Sequence, residues 1–333
     1  METSIEVEDR SQVAQVRRMV AALSATQGLS PEDRGRAELV ATEASTNLVK
    51  YGRHGSVAVS RFDEWGASGV QIVATDRGPG IANFAASARD GHSTGGSLGI
   101  GLGAIIRASD LFDVYTVEAQ GSALLSRVYK GEAPQPPEGA LVTGARTTPK
   151  LGQQECGDAW CHARAGRWQR ICVVDGLGHG PLAASASARA IAVCREAREK
   201  DTPMDILAAA HEALRGTRGA VMGVASIDTN AGQFSFCGVG NISGVLYAGD
   251  KSHHLLSVEG IVGYNARNLK LQELPWSRDC TLILSSDGLS TRRNMTRYPG
   301  LLQRHPALVA SVMYRDYARD ADDACVVVAR GGK

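Results

Sequence analysis

The sequence predicts a two-domain α+β protein, and three observations support this class. The chain has 333 residues, about the length of two ordinary domains. Residues 131–142 are rich in proline and glycine, as is typical of a linker. Before this linker helical and strand patterns alternate, whereas after it strands cluster, with helices inserted between them. We therefore expect domains at 1–130 and 143–333.

Helical periodicity and capping residues define the start of the first domain. Val13, Val16, Val20 and Leu23 predict a helix from Ser11 to about Gly28. Ser30-Pro31-Glu32-Asp33 is a strong helix start, because serine caps the helix, proline fits its first turn and acids favour its positive end. This second helix is expected to end near Tyr51.

The rest of the first domain reads as strands around a glycine-rich loop. We expect a short helix at 81–89, a loop at 92–103 and a helix near 104–109. The predicted strands of the first domain are 56–62, 70–75, 111–118 and 123–129.

In the second domain the patterns predict antiparallel sheets with helices on the outside. The predicted helices are 181–200 and 204–214. The predicted strands are 169–174, 221–228, 233–238, 244–247, 280–285 and 324–329.

Composition excludes several classes of function. Lys plus Arg number 36 against 35 for Asp plus Glu, so no charge excess points to nucleic acid or an anionic membrane as a partner. We find neither a secretion signal nor an apolar run long enough to span a bilayer, and we expect a cytoplasmic protein. The seven cysteines are then expected to be reduced. Cys156, Cys161 and His162 lack zinc spacing, and incidental packing is favoured.

The first domain carries residues suited to a nucleotide and Mg²⁺. Glu43 and Asn47 are four apart and share a helical face, where they could hold Mg²⁺ and accept a proton. Taken alone, this pair is more simply a solvated face. Asp76 follows a predicted strand, and its carboxylate could accept a hydrogen bond from a base. The glycine run 95–103 opens a helix and suits phosphates, but it matches neither a Walker A loop nor Gly-x-Gly-x-x-Gly.

The order and spacing of these three motifs, from about Ala37 to Val128, resemble the Bergerat-fold ATPases. The resemblance is strongest to small bacterial anti-sigma serine kinases and their stressosome switch-kinase relatives. It implies an α/β sandwich, with Glu43 as the base for a serine proton, Asn47 as the Mg²⁺ ligand and Asp76 as the adenine reader. It also implies that ATP is bound by Lys50, Gly78, Gly80, Gly95, Gly96, Gly99, Gly101, Gly103 and Ser122.

The second domain carries four turns centred on aspartate. Asp175 follows a run of apolar residues and precedes the glycine-rich Gly176–Gly180, and further acids occur at Asp158, Asp287 and the pair Asp322–Asp323. Carboxylates at strand ends meet at one rim of a sheet, and oxygen ligands without His or Cys favour Mg²⁺ or Mn²⁺. For a single turn, ordinary Asp-Gly turn chemistry would suffice.

These turns, within about Gly152 to Arg330, resemble the SpoIIE-type branch of metal-dependent (type 2C) protein phosphatases. Asp175 to Gly180 matches the family's second motif in full. The resemblance implies an αββα sandwich and two ions, Mn²⁺ or Mg²⁺, held by Asp158, Asp175, Asp287, Asp322 and the carbonyl of Gly176. Asp323 occupies a further ligand position. His179 is interpreted first as a turn histidine.

Together the resemblances imply a regulator that phosphorylates and dephosphorylates a serine or threonine. The implied substrate is a STAS-domain anti-sigma antagonist or a stressosome-like protein. They also admit a sigma factor or downstream enzyme as a further partner, and a homodimer. Two alternatives stay open: an N-terminal domain that only binds ATP or docks a partner, and a scaffold without catalysis.

Overall fold

A computed structural model describes residues 2–81, 98–319 and 321–332, with residues 98–100 described by their backbone alone. Its helices are α1 (Arg10–Thr26), α2 (Pro31–Tyr51), α3 (Leu98–Ala108), α4 (Pro181–Glu196), α5 (Pro203–Ala213) and α6 (Pro306–Tyr317). The strands of the first half are β1 (Glu2–Glu6), β2 (Ser56–Glu64), β3 (Ala67–Thr75), β4 (Leu111–Val117) and β5 (Gly121–Tyr129). The later strands are β6 (Leu141–Thr148), β7 (Asp158–Ala165), β8 (Trp168–Gly176), β9 (Ala220–Asp228), β10 (Gln233–Val239), β11 (Ser243–Ala248), β12 (Lys251–Leu255), β13 (Gln272–Pro275), β14 (Cys280–Ser285) and β15 (Ala324–Gly331).

The chain forms two compact units, which confirms the predicted two-domain α+β class. The first contains Met1–Pro137 and Thr296–Val312, and the second contains Glu138–Met295 and Met313–Lys333. The division between the units falls between Pro137 and Glu138, within the predicted linker, and Thr296–Val312 groups with the first unit. The predicted linker also ends earlier than expected, since β6 begins at Leu141.

The first unit is a single antiparallel sheet covered by helices. Its strand order is β1-β2-β3-β5-β4. Ser30 caps α2 by accepting a hydrogen bond from the backbone N–H of Asp33, as its sequence predicts. Buried residues such as Val40, Ile72 and Ile105 join α2, the sheet and α3 in one core. This packing fixes α2, and therefore Glu43 and Asn47, against α3.

Helix α3 begins six residues earlier than predicted. It starts at Leu98, so Gly99, Gly101 and Gly103 are helical and do not lie in a loop. Leu102 and Ile105 are buried in the core, and this apolar burial outweighs the low helix propensity of glycine. Gly95, Gly96 and the predicted helix at 81–89, apart from Ile81, lie outside the described residues.

The second unit stacks two five-stranded antiparallel sheets. Their orders are β13-β10-β9-β8-β7 and β12-β11-β14-β15-β6. One core lies between the sheets and includes Ile171, Val173 and Leu284. A second core, which includes Val174 and Ile206, lies where α4 and α5 cover β7 to β10. On the other sheet, the guanidinium of Arg146 lies over the Tyr314 ring of α6, 4.7 Å from its centroid.

Candidate metal centre and nucleotide site

Asp158 and Asp175 lie opposite each other where β7 begins and β8 ends. They are register partners in this antiparallel pair, so their side chains point to the same face. Side chains alternate along a strand, and Val173 packs in the core between the sheets. Asp175 therefore faces the second sheet, and Asp158 points the same way.

Two further acids come from the facing sheet. Asp287 follows the end of β14, and Asp322 precedes β15, which pairs with β14 in antiparallel fashion. The end of one strand and the start of its antiparallel neighbour lie at the same edge of a sheet. Asp175, Asp287 and Asp322 line one cavity of about 670 Å³. The structure thus gathers the four predicted carboxylates from two sheets.

The electrostatics of the cluster reflect burial and mutual repulsion. Burial, together with the charges of Asp323, Asp287 and Asp322, raises the pKa of Asp158 to about 7, although a hydrogen bond from Ser286 opposes the shift. Burial and the charges of Asp158 and Asp287 raise the pKa of Asp175 to about 8. Such a cluster is stabilised by added positive charge.

The donor set fits hard divalent cations. Asp158 is 4% exposed, and its Oδ2 atom is buried without a hydrogen-bond partner in the described part of the chain. A buried carboxylate oxygen without a donor is costly, and a bound cation would satisfy it. Asp158, Asp175, Asp287, Asp322 and the carbonyl of Gly176 supply only oxygen, which suits Mg²⁺ or Mn²⁺.

Asp323 has a structural role that the sequence did not show. It is 3% exposed, and its two carboxylate oxygens accept backbone N–H groups of Lys150 at 2.8 Å and Gly157 at 3.0 Å. These bonds tie the loop before Asp158 to the start of β15. Asp323 thereby positions Asp158 and Asp322, while its charge raises the pKa of Asp158.

The turn after Asp175 depends on close packing of α4. A Cβ atom at Gly176 would lie 2.3 Å from the carbonyl oxygen of Ala183, so only glycine permits this approach. The hydroxyl of Ser187 donates to the carbonyl of Gly157 at 2.5 Å. Helix α4 therefore braces the chain on either side of the acidic pair.

Asn241 is hydrogen-bonded to one of the predicted metal ligands. Its side-chain amide donates to Oδ2 of Asp287 at 2.7 Å, and it lines the same cavity. This contact spans 46 residues of sequence, so no local pattern announces it. His179 also lines the cavity and is exposed.

A larger cavity, of about 900 Å³, lies near the opposite end of the β7–β8 hairpin, beside Arg167 and Trp168. Volume alone would favour it as the functional site. The carboxylates lie instead at the smaller cavity, which Asp175, Asp287 and Asp322 line.

In the first unit, Glu43 and Asn47 face helix α3. A Cβ atom at Gly101 would lie 2.6 Å from Oε2 of Glu43 and 3.7 Å from Oδ1 of Asn47. Glycine at this position lets the backbone of α3 lie beside both polar groups. Glu43 and Asn47, the predicted proton acceptor and Mg²⁺ ligand, thus lie on the face of α2 that packs against Gly101 of α3. Lys50 lies one turn further along α2 and is exposed.

Asp76 lies at the end of β3 in a tight backbone pocket. It is 8% exposed, and its Oδ1 accepts the N–H of Gly78 at 2.6 Å. Its own N–H donates to the carbonyl of Ser122 at 2.9 Å. A Cβ atom at Gly80 would lie 2.6 Å from the carbonyl oxygen of Val117, so Gly80 also belongs to this pocket. Asp76 is thus held in a turn whose backbone packs closely against the strands that follow.

The two folds and their polar residues define a chain that joins an ATPase-type domain to a metal-dependent phosphatase-type domain. The family model described as "Histidine kinase-like ATPase domain" matches residues 6–126, and the model described as "Stage II sporulation protein E (SpoIIE)" matches residues 166–331.

Two curated proteins of Bacillus subtilis (strain 168) are similar to the two halves. The serine/threonine-protein kinase RsbT is 31% identical over 97 residues, which is 29% of this chain and 73% of RsbT. The phosphoserine phosphatase RsbX is 29% identical over 143 residues, which is 42% of this chain and 71% of RsbX. The chain therefore combines an RsbT-family histidine kinase-like ATPase domain with a SpoIIE-type phosphatase domain.

Solved structures agree with this assignment. A structure from work on the bacterial stressosome as a modular system adapted to control secondary messenger signalling is 29% identical, with a TM-score of 0.54. The match covers 57% of this chain and all of that chain. RsbX in complex with magnesium has the same fold at 21% identity and a TM-score of 0.53, covering 60% of this chain and 98% of that chain. No helix in the described ranges is long and apolar enough to cross a membrane.

Proposed function

We propose that the chain is a bifunctional regulator that phosphorylates a serine or threonine of a partner protein with ATP and hydrolyses phosphoserine or phosphothreonine. The observation that carries the proposal is a cluster of carboxylates: Asp175, Asp287 and Asp322 line one cavity, and Asp158 is the register partner of Asp175. The first half of the same chain is similar to a serine/threonine-protein kinase. The two sites lie in separate compact units, so each activity has its own set of residues.

In the phosphatase half, Asp158, Asp175, Asp287, Asp322 and the Gly176 carbonyl would hold two Mg²⁺ or Mn²⁺ ions. When bound, such ions supply an activated water and neutralise phosphoryl oxygens. The protein contributes rigid placement, because Asn241 orients Asp287 and Asp323 anchors the loop before Asp158.

In the kinase half, the side chains of α2 supply the chemistry. Glu43 would accept the proton of the attacking hydroxyl, and Asn47 would hold the Mg²⁺ of ATP. Asp76 would accept the exocyclic amine of adenine, with Gly78, Gly80 and Ser122 shaping the pocket around the base. Gly101 keeps the α3 backbone beside the proton acceptor.

The proposed substrate is a STAS-domain anti-sigma antagonist or a stressosome-like protein, acting in partner switching. Support comes from the relatives, since one half resembles a serine/threonine-protein kinase and the other a phosphoserine phosphatase that share the Rsb designation. The similar structure from the bacterial stressosome points the same way. A partner that both sites act on would be switched in both directions by one chain.

The test mixes the full chain with Mg²⁺, γ-labelled ATP and a STAS-domain protein from the same organism. We expect labelling of a serine or threonine by the wild type, loss of labelling with Glu43→Gln, and persistence of the label with Asp175→Asn. Glu32→Gln, an exposed change in the first turn of the same helix, is the control and should label normally.

ATP binding without transfer to the partner would contradict the kinase assignment. It would show that the first unit senses ATP or docks a regulator. Label removal that survives Asp175→Asn would contradict the phosphatase assignment. The two outcomes are independent, so each half of the proposal can fail alone.

A further inference from the structure

Three buried cysteines meet in the second unit, away from the carboxylates. They are Cys161 on β7, Cys172 on β8 and Cys194 in the last turn of α4. Their sulfur atoms all lie within 4.8 Å of one another, and each residue is at most 2% exposed. We call these three residues the cysteine cluster. Cys161 therefore lies with Cys172 and Cys194, and not with Cys156 and His162, its neighbours in sequence.

The fold brings the cluster together through pairing and periodicity. Cys161 and Cys172 are register partners, so they share one face of the sheet. That face is covered by α4 and α5, because Cys172 packs in the same core as Ala190 and Ile206. Cys194 lies four residues after Ala190 on the same helical stripe. Three separate elements thus direct a thiol to one point.

A buried positive charge lies near the cysteine cluster. Arg170 lies two residues before Cys172 on the same face and is fully buried. Its Nη atoms donate to the carbonyls that follow α4, with distances of 3.0 Å to Ala197 and 2.6 Å to Arg198. Its Nε atom is buried without a hydrogen-bond partner in the described residues. A buried guanidinium with one unused donor favours negative charge nearby.

The three thiols shift one another's pKa values. Hydrogen bonds from Cys161 and Cys172 lower the pKa of Cys194, and the charges of Arg170 and Arg195 lower it further. Burial, and hydrogen bonding to the other two thiols, raise the pKa of Cys172.

We propose that the cysteine cluster is a binding site for a soft metal cation held by three thiolates. Metal–sulfur bonds of about 2.3 Å place three trigonal ligands about 4 Å apart. The observed sulfur positions need to contract by less than 1 Å. A ligand set of sulfur alone selects thiophilic ions such as Cu⁺, Zn²⁺ or Cd²⁺ over Mg²⁺.

The binding step releases protons and requires no oxidant. Each thiol that becomes a ligand gives its proton to solvent, and the metal takes its place on the sulfur. Three thiolates and one divalent ion carry a net charge of −1, which the guanidinium of Arg170 offsets. The step also forms a bridge between β7, β8 and α4, the elements that carry or brace Asp158 and Asp175.

The test titrates Cd²⁺ into the reduced, metal-free full chain in excess Mg²⁺. Thiolate-to-cadmium charge-transfer absorption reports sulfur ligation, and carboxylate binding does not produce it. A Cys156→Ser background removes the half-buried thiol near the carboxylates. We expect one Cd²⁺ per chain. Cys194→Ala should weaken Cd²⁺ binding by about 100-fold or more, because one ligand is lost.

Cys237→Ala is the matched control, because Cys237 is equally buried in the same helix-covered core but is not in the cluster. It should bind Cd²⁺ as the wild type does. Both variants delete one buried sulfur, so they should lose similar thermal stability. Cd²⁺ should raise the melting temperature of the wild type and Cys237→Ala only.

The proposal is overturned if the wild type shows no charge-transfer band, or if Cys194→Ala and Cys237→Ala bind Cd²⁺ alike. Either result would mean that the three cysteines only pack in the core as small apolar side chains and bind no metal. If Cys194→Ala does not fold, Cys161→Ala takes its place, with the same expected loss of Cd²⁺ binding.

Discussion

At the scale of single residues, the acidic cluster brings like charges together in a buried place. Asp158 and Asp175 are placed opposite each other by strand register and face acids from the other sheet. Burial and like charge raise the pKa of both carboxyls. Their ionised forms are therefore disfavoured in the metal-free protein and favoured when a cation is bound.

This electrostatic arrangement predicts the pH dependence of the metal-free protein. In the folded chain the pKa is about 7 for Asp158 and about 8 for Asp175, above the ordinary value of 3.8. At pH values between the ordinary pKa and these raised ones, the folded chain therefore holds more protons than the unfolded chain. Stability must then fall as pH rises from about 4 to about 8, by about 1.4 kcal/mol per pH unit for each extra proton.

Denaturant unfolding in a chelator, at a series of pH values, measures this slope. Asp175→Asn should make the slope shallower, because it removes one titrating carboxyl and part of the repulsion. Asp250→Asn, on an exposed turn, should leave the slope unchanged. A slope that is the same in the wild type and in Asp175→Asn would contradict the assigned cause.

Asn241 offers a second test at the residue scale. Asn241→Ala removes the hydrogen bond that orients Asp287, without removing a proposed ligand. Loss of an outer partner of a metal ligand typically lowers metal affinity or activity about 10- to 100-fold. When the rate of aryl phosphate hydrolysis is measured at increasing Mn²⁺ concentrations, Asn241→Ala should therefore need a higher Mn²⁺ concentration to reach half of its maximal rate. An unchanged metal requirement would mean that Asp287 needs no such support.

At the scale of elements, glycine spacing in α3 determines how close this helix comes to α2. A Cβ atom at Gly101 would lie 2.6 Å from the Glu43 carboxylate. Gly101→Ala is expected to displace Glu43 and α3, and to weaken ATP binding by about 10-fold or more, since such a contact must be relieved by movement. Calorimetric titration with ATP and Mg²⁺ measures the effect.

Gly35→Ala is the control on the neighbouring helix α2. Its added Cβ would meet no atom within 4 Å, and replacing glycine by alanine in a helix stabilises by about 1 kcal/mol. This variant should bind ATP normally and unfold at a slightly higher temperature. Equal loss of ATP binding in both variants would show that helix glycines in general, and not the Glu43 contact, explain the effect.

The elements that sequence predicted well carry strong local signals. Helix α2 has a serine cap and a proline in its first turn, and it was predicted closely. Helix α3 was placed too late, because burial of Leu102 and Ile105 overrides local glycine content. Five strands were not predicted: β1, β6, β7, β12 and β13. The short strand β13, for example, forms by pairing with β10 and has no strong strand pattern of its own.

The sites follow the same division. An acid that directly follows an apolar strand is a local pattern, and it singles out Asp175 and Asp287 as candidate metal ligands. The partnership of Asn241 with Asp287, and the meeting of Cys194 with Cys161 and Cys172, depend on contacts between distant segments. No spacing rule along the chain contains that information.

At the scale of the whole molecule, the chain carries two chemistries in two compact units. The grouping of Thr296–Val312 with the first unit arises from contacts distant in sequence, such as the His305 N–H donating to Asp113 at 2.7 Å. Composition and linker signals could not predict this. The carboxylate site and the Glu43 face still draw on different residues, so a change at one should spare the other.

The most direct measurement of this central claim is Mn²⁺-dependent hydrolysis of para-nitrophenyl phosphate by three proteins: wild type, Glu43→Gln and Asp175→Asn. We predict that the wild type and Glu43→Gln hydrolyse it equally, and that Asp175→Asn is slower by about 100-fold or more, because a proposed metal ligand is lost. Equal rates for Asp175→Asn and wild type, or hydrolysis that persists in a chelator, would contradict the account.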